Sequence, residues 1–139
     1  MRLEVIPIPC QDVSSMWLVV EGMVAKALKK SRNQQSAELW RQACVRGKGH
    51  ILVVLTEGKV LRGCAILERH DERLHLVTLT CPGFLKGFVP LLDVWRRLAR
   101  DAGCTVVSLK GRLGWDRVLR PYGFLPLDDS TLGASADGI

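Results

Sequence analysis

The chain contains no apolar run near the ~20 residues that a membrane-spanning helix needs, so no span is expected. Its opening, Met1-Arg2-Leu3-Glu4-Val5, lacks the charged-then-apolar build of a signal peptide, and a cytoplasmic protein is the expectation. Cysteine is sparse: Cys10, Cys44, Cys64, Cys81 and Cys104, with no C-x-x-C pair among the five. That argues against thiol-redox chemistry and the common zinc frameworks. Most of these cysteines sit in apolar stretches, where a free thiol behaves as a small hydrophobe, and a reducing compartment suits them. Histidine is scarcer still, at three. His70, His75, Cys64 and Cys81 are neighbours along the chain, but no pair has ligand-type spacing, so no metal site is expected. Aromatic residues make up only 6%, with Tyr122 the single tyrosine. They do not interleave with the charges, which leaves little footing for base stacking on a nucleic acid.

What is present describes one globular domain. The 139 residues are 47% hydrophobic and 24% charged, enough to bury a core without metals or disulfides. Twenty basic against fourteen acidic side chains leave +6, which fits an acidic partner: a phosphorylated cofactor, an acidic protein or a nucleic acid. The basic residues form two groups. Lys26, Lys29, Lys30, Arg32, Arg41, Arg46 and Lys48 come early; Arg96, Arg97, Arg100, Lys110, Arg112, Arg117 and Arg120 come late. A solvated helix face explains such runs as readily as a binding surface does.

Leu3–Pro7 alternates and reads as an opening strand, with Pro7 and Pro9 at its end. Asp12 is placed to cap a helix over Val13–Lys30, whose apolar residues recur every three to four positions. Ser36 opens a second helix that Gly47 and Gly49 end. Three strands follow, His50–Thr56, Val60–Glu68 and Arg73–Thr80, joined by the turns at Gly58 and Asp71 into an antiparallel meander. Pro90 is expected to open a long helix, where its missing N–H costs least, and Gly103 to close it. Cys104–Leu109 reads as a crossover strand, Gly114–Arg120 as a brief helix and Phe124–Leu127 as an edge strand. The order is β-α-α-β-β-β-α-β-α-β, an α+β domain over residues 1–127 with a mixed central sheet flanked by helices. Residues 128–139, rich in Ser, Asp and Gly, are expected to form a flexible C-terminal tail.

This order, together with Gly111-Arg112-Leu113-Gly114-Trp115-Asp116-Arg117-Val118-Leu119-Arg120-Pro121-Tyr122-Gly123-Phe124, resembles the GNAT (Gcn5-related N-acetyltransferase) superfamily over Leu3–Leu127. The Gly-Arg-x-Gly-Trp stretch resembles small GNAT-like proteins encoded in phage and prophage genomes. The resemblance implies an acetyl-CoA-dependent N-acyltransferase that passes an acetyl group directly from the thioester to an amine acceptor. It also implies where the co-substrate lies. Leu79, Thr80 and Cys81 would offer backbone groups to the pantetheine arm, and Lys86, Gly87 and Phe88 would hold the pyrophosphate, with Arg112 close by. The family's loop of the form Arg/Gln-x-x-Gly-x-Gly/Ala is replaced here by Cys81–Pro90. Its Gly83, Lys86 and Gly87 retain the physical ingredients of a phosphate site, though they equally suit a plain connection. Aligned on Gly123-Phe124, Leu119 holds the family's general-acid tyrosine position, Arg112 the asparagine position and Trp115 the small-residue position.

Three residues are candidates for moving protons. Tyr122 is the nearest available acid for the leaving thiolate, or else a packed ring. Glu68 and His75, on adjacent strands, could share the base role, although alternation puts His75 on an apolar face with Val77 and Leu79. Cys81 has no adjacent base to make it a nucleophile. The acceptor amine is open: it would be acidic or macromolecular if the early basic group binds it. Two other readings stay open, a GNAT-fold binding or virion-associated protein without activity, and a nucleic-acid-binding module. Trp17 and Trp40, on apolar helix faces, could be core residues or, in a homodimer, interface residues.

Overall fold

A computed structural model describes residues 3–30, 35–111 and 115–138. In chain order these form β1 (Glu4–Ile8), α1 (Val13–Lys30), α2 (Ala37–Arg46), β2 (His50–Glu57), β3 (Val60–His70), β4 (Arg73–Thr80), α3 (Phe84–Asp101), β5 (Val106–Lys110), α4 (Trp115–Leu119), β6 (Leu125–Pro126) and β7 (Thr131–Ser135). The strands make one mixed sheet in the order β1-β2-β3-β4-β5-β7-β6. Only β4 and β5 run parallel. No helix among the described residues is long and apolar enough to cross a membrane.

The sheet is covered on both faces, so the central strands β2 and β3 are buried in continuous runs rather than clean alternations. On one face α1 and α2 lay Val13, Trp17, Val20, Val24, Leu28 and Trp40 over Leu52, Val54, Cys64 and Ile66. On the other, α3 and α4 lay Phe88, Leu91, Trp95 and Leu119 over Val53, Ala65, Leu67, Leu74, Leu76 and Val107. The α1 span matches the periodicity, and Ser36 caps α2 by accepting from the Leu39 N–H at 3.3 Å. Asp12 does not cap α1. It closes a 3₁₀ turn, Cys10–Asp12, and its carbonyl accepts from the Ser15 hydroxyl.

Two other expectations are corrected. Helix α3 begins at Phe84, so Pro90 lies inside it rather than at its start. An internal proline costs about 3 kcal/mol, chiefly through the bond its missing N–H would have made to Lys86. Burial of aromatic surface in the extra turns offsets this. Phe88 is fully buried, Phe84 stacks on it at 5.3 Å, and Trp115 covers Phe84 at 4.7 Å. The segment expected to be a flexible tail holds β7, which inserts between β5 and β6. Leu132, Ala134 and Ala136 join the α3-side core, so the domain continues past residue 127. Here the small residues are a packing requirement: a Cβ on Gly133 would lie 2.5 Å from Leu127 Cδ1.

Candidate active site

β4 and β5 pair over four positions only, Arg73–Leu76 with Val106–Leu109. β5 then turns to β7 alone, while β4 runs on for four residues, Val77–Thr80, of which Thr78–Thr80 still pair with β3. The parting has a local cause. Ile66 pairs with Thr78 and Leu67 with Leu76, so Val77 is an extra residue, a bulge that bends and twists its strand. Beyond Leu76 the backbone of Val77–Thr80 facing β5 has no partner among the described residues, and the two strands enclose a notch.

Helix α3 begins at the wide end of this notch. Gly83 precedes it at φ 74°, a conformation glycine adopts without strain. The Phe84, Leu85 and Lys86 N–H groups donate to no backbone carbonyl among the described residues, whereas the Gly87 N–H already donates to the Gly83 carbonyl at 3.4 Å. Of the three residues expected to hold a pyrophosphate, only Lys86 therefore keeps a free N–H; Gly87 and Phe88 are buried in the following turn. Gly87 instead permits close packing, because a Cβ there would lie 2.8 Å from the Cys81 Sγ and 3.2 Å from Leu55. Cys81 is part-buried and its thiol is raised above its usual pKa, mainly by desolvation, with Lys86 opposing. Arg112 lies outside the described residues.

Glu68 and His75 are directly opposed across β3 and β4, as expected, but they do not bond to each other. They belong to a polar row crossing the sheet. His50 pairs with Glu68, Glu68 with His75, His75 with Ser108, and Ser108 with Gly133. The row lies on the α1/α2 face, where the His50 ring sits 5.9 Å from Trp40. Both Glu68 oxygens are engaged, one by His50 Nε2 at 2.8 Å and the other by His70 Nε2 at 2.5 Å. His75 Nδ1 lies 2.9 Å from the Ser108 hydroxyl. Alternation from Glu68 could have revealed His70 two residues on; Ser108 could not be found without the parallel register. Among the described residues no group of three or more His, Cys, Asp or Glu side chains is arranged to hold a metal ion.

Burial pushes the His75 imidazole down to about 4, with His70, Arg73 and Lys110 acting in the same direction and Glu68 opposing. Against an unfolded value near 6.5 the consequence has a definite sign. Above pH ~6.5 both states carry a neutral ring and nothing is lost. As pH falls toward about 4, the unfolded chain takes up a proton that the native protein does not, so stability drops. The loss approaches 3 kcal/mol on the order-of-magnitude scale, less whatever the remaining solvent contact screens. Urea unfolding at a series of pH values should show this slope, and His75→Gln should flatten it.

Tyr122 lies on the opposite face, in a 3₁₀ turn after α4, its ring 6.0 Å from Phe88. Leu119, at the position aligned with the family's acid, is fully buried in the α3-side core. The late basic group divides by role. Arg96 donates to the Ser135 and Tyr122 carbonyls and Arg100 to that of Ala136, so both tie α3 to the C-terminal segment. In the early group, Arg41 is bonded by Glu38 and Ser14, while Lys26, Lys29 and Lys30 are exposed on the last turns of α1.

No protein-family model matches the chain, and no curated protein matches it. Solved structures do. A GNAT family acetyltransferase from Brucella melitensis, determined with acetyl-CoA, superposes with a TM-score of 0.66 at 15% identity, over 96% of this chain and 88% of that one. A PaiA N-acetyltransferase from Thermoplasma acidophilum, determined with coenzyme A, gives 0.58 at 14%, over 97% and 99%. A GNAT family acetyltransferase from Staphylococcus aureus gives 0.60 at 12%, over 96% and 99%. The chain has the fold of the GNAT acetyltransferases, from its first strand to its last.

Proposed function

We propose that the protein is an acetyl-CoA-dependent N-acyltransferase that transfers the acetyl group directly to an amine in a ternary complex. The observation that carries this reading is the notch between β4 and β5, with unpaired β4 backbone along one wall and unbonded helix N–H groups at its mouth. An extended thioester ligand ending in phosphates meets both features. Leu79, Thr80 and Cys81 would bind its pantetheine arm. The start of α3, with Lys86, Gly87 and Phe88 forming its first turns, would take the pyrophosphate through backbone donors and the Lys86 charge, with Arg112 alongside. Tyr122 on the α3 face and the Glu68–His75 row on the α1/α2 face would then lie on opposite sides of the reacting carbonyl. Lys26, Lys29 and Lys30 favour an acidic or macromolecular acceptor.

A second reading keeps the fold without the chemistry, as a binding or virion-associated protein such as a phage genome would encode. The buried Leu119 and the altered loop favour it. Thermal unfolding with acetyl-CoA separates the two. At a hundredfold excess over Kd, binding adds about 2.7 kcal/mol and raises the midpoint by roughly 9 °C for a chain of this size. No shift at millimolar ligand would leave the notch a purely structural feature. With a shift in hand, unchanged turnover in Tyr122→Phe would exclude that hydroxyl as the acid.

A further inference from the structure

Two histidines of the polar row are held in complementary ways. A carboxylate only accepts hydrogen bonds, so the contact between Glu68 and His70 Nε2 requires the proton on that nitrogen and leaves Nδ1 with its lone pair. His70 is half-exposed at the end of β3, and no bond to its Nδ1 occurs among the described residues. Ser108 is fully buried, and its only side-chain partner among the described residues is His75 Nδ1. A buried hydroxyl has one proton to place; donated to Nδ1, it would fix the His75 proton on Nε2. One imidazole thus presents an acceptor and the other a donor.

Their spacing suits one reacting centre. The His70 and His75 ring centroids are 5.7 Å apart in an edge-on arrangement. The nitrogen attacking a thioester and the oxygen that becomes an oxyanion are bonded to the same carbon, so a base and a donor each about 3 Å from their own atom must be near neighbours. His75 also sits one position before β4 and β5 part, beside the narrow end of the notch.

Building on the acyl-transfer reading, we propose that these histidines divide the chemistry: His70, oriented by Glu68, removes the amine proton, and His75, oriented by Ser108, donates a hydrogen bond to the thioester oxygen. The amine nitrogen attacks the carbonyl carbon, forming the C–N bond and moving the π electrons onto oxygen, where His75 Nε2–H stabilises them. The amine proton passes to His70 Nδ1 and on to solvent at its exposed edge. Collapse of the intermediate breaks the C–S bond, and the thiolate takes a proton from Tyr122, which solvent replaces. The low His75 pKa fits the assignment, since a ring that stays neutral remains a single-tautomer donor. His70, Arg73, Glu68 and Lys110 are the charged or titratable groups acting on it.

The test uses the intact protein with acetyl-CoA and spermidine, lysine or a free-amine peptide, with water as the fallback acceptor, reading thiol release. His70→Gln should lower kcat about 100-fold with KM for acetyl-CoA unchanged. His75→Leu should lower kcat by about 100-fold or more, with partial recovery in His75→Gln, which keeps an N–H donor. Nitrogen NMR of the wild type should show His75 protonated on Nε2, and Ser108→Ala should release that tautomer. Unaltered turnover in His70→Gln, or His75 protonated on Nδ1 in the wild type, overturns the division of roles. So does wild type that binds acetyl-CoA yet releases no thiol with any acceptor. An absence of acetyl-CoA binding overturns the acyl-transfer reading itself and this assignment with it.

Discussion

Gly63→Ala is expected to cost about 3 kcal/mol, a severe effect for a single methyl group on a strand. The site lies where β3 passes the end of β4. A Cβ built on Gly63 would fall 1.9 Å from the Thr80 carbonyl oxygen and 3.1 Å from the Cys81 Cα. Those are main-chain atoms, so no rotamer change relieves the clash; β3 or the exit from β4 has to move. That exit carries the chain from the notch wall to the start of α3. The same substitution should therefore abolish any acetyl-CoA-dependent rise in midpoint, even at temperatures where the protein remains folded. Gly22→Ala provides the matched control. Nothing lies within 4 Å of a Cβ at that helical position, so alanine there should stabilise by roughly 0.5–1 kcal/mol. Urea unfolding of the two variants reads the contrast. A Gly63→Ala protein as stable as wild type would show that the β3–β4 crossing relaxes without loss.

Trp95→Ala should be at least as damaging, at about 3–5 kcal/mol, a large share of the stability of a typical domain. Trp95 is fully buried in the middle of α3, with the Phe88 and Phe124 rings 6.3 and 5.8 Å away. Its indole N–H also donates to the Leu74 carbonyl at 2.9 Å, fastening α3 to the part of β4 that still pairs with β5. The two contributions can be separated. Trp95→Phe keeps most of the apolar contact and removes the hydrogen bond to the Leu74 carbonyl, for a loss of about 0.5–1.5 kcal/mol. Equal losses for Ala and Phe would assign the effect to the hydrogen bond, and a negligible loss for Phe would assign it to packing. Denaturant midpoints at neutral pH give the answer.

Much of this architecture was legible in the residues. The three-to-four spacing of Val13, Trp17, Val20, Val24 and Leu28 predicts α1 to the residue, and the turns at Gly58 and Asp71 predict the meander. These are local signals, in which one stretch of chain carries its own pattern and stop. Pro90 misled because the rule that places proline at a helix start is local, whereas Phe84 and Phe88 are rewarded by Trp115 and Phe124 from far along the chain. The segment after residue 127 misled for a similar reason. Its glycine and serine read as a lack of core-forming residues until Leu127 is seen to need the space at Gly133. Opposed positions on adjacent hairpin strands brought Glu68 to His75 correctly. The bonds those residues make were hidden, because Ser108 is thirty-three positions from His75 and reaches it only through the parallel register.

The position of β7 has a consequence for the order in which the sheet can be completed. β6 precedes β7 in the chain but lies outside it, joined to the rest of the sheet only through β7. During N-to-C synthesis β6 therefore emerges with nothing to pair against, and one side of β5 stays bare until Thr131–Ser135 has been made. Closure of the β5 edge is the last step, and the Arg96 and Arg100 bonds to the Ser135 and Ala136 carbonyls can form only then. A nascent chain stalled before this point exposes an open sheet edge, the kind of surface on which chains associate wrongly. Completion of the sheet is thus timed by the synthesis of Thr131–Ser135, while the α1/α2 half can consolidate well before it.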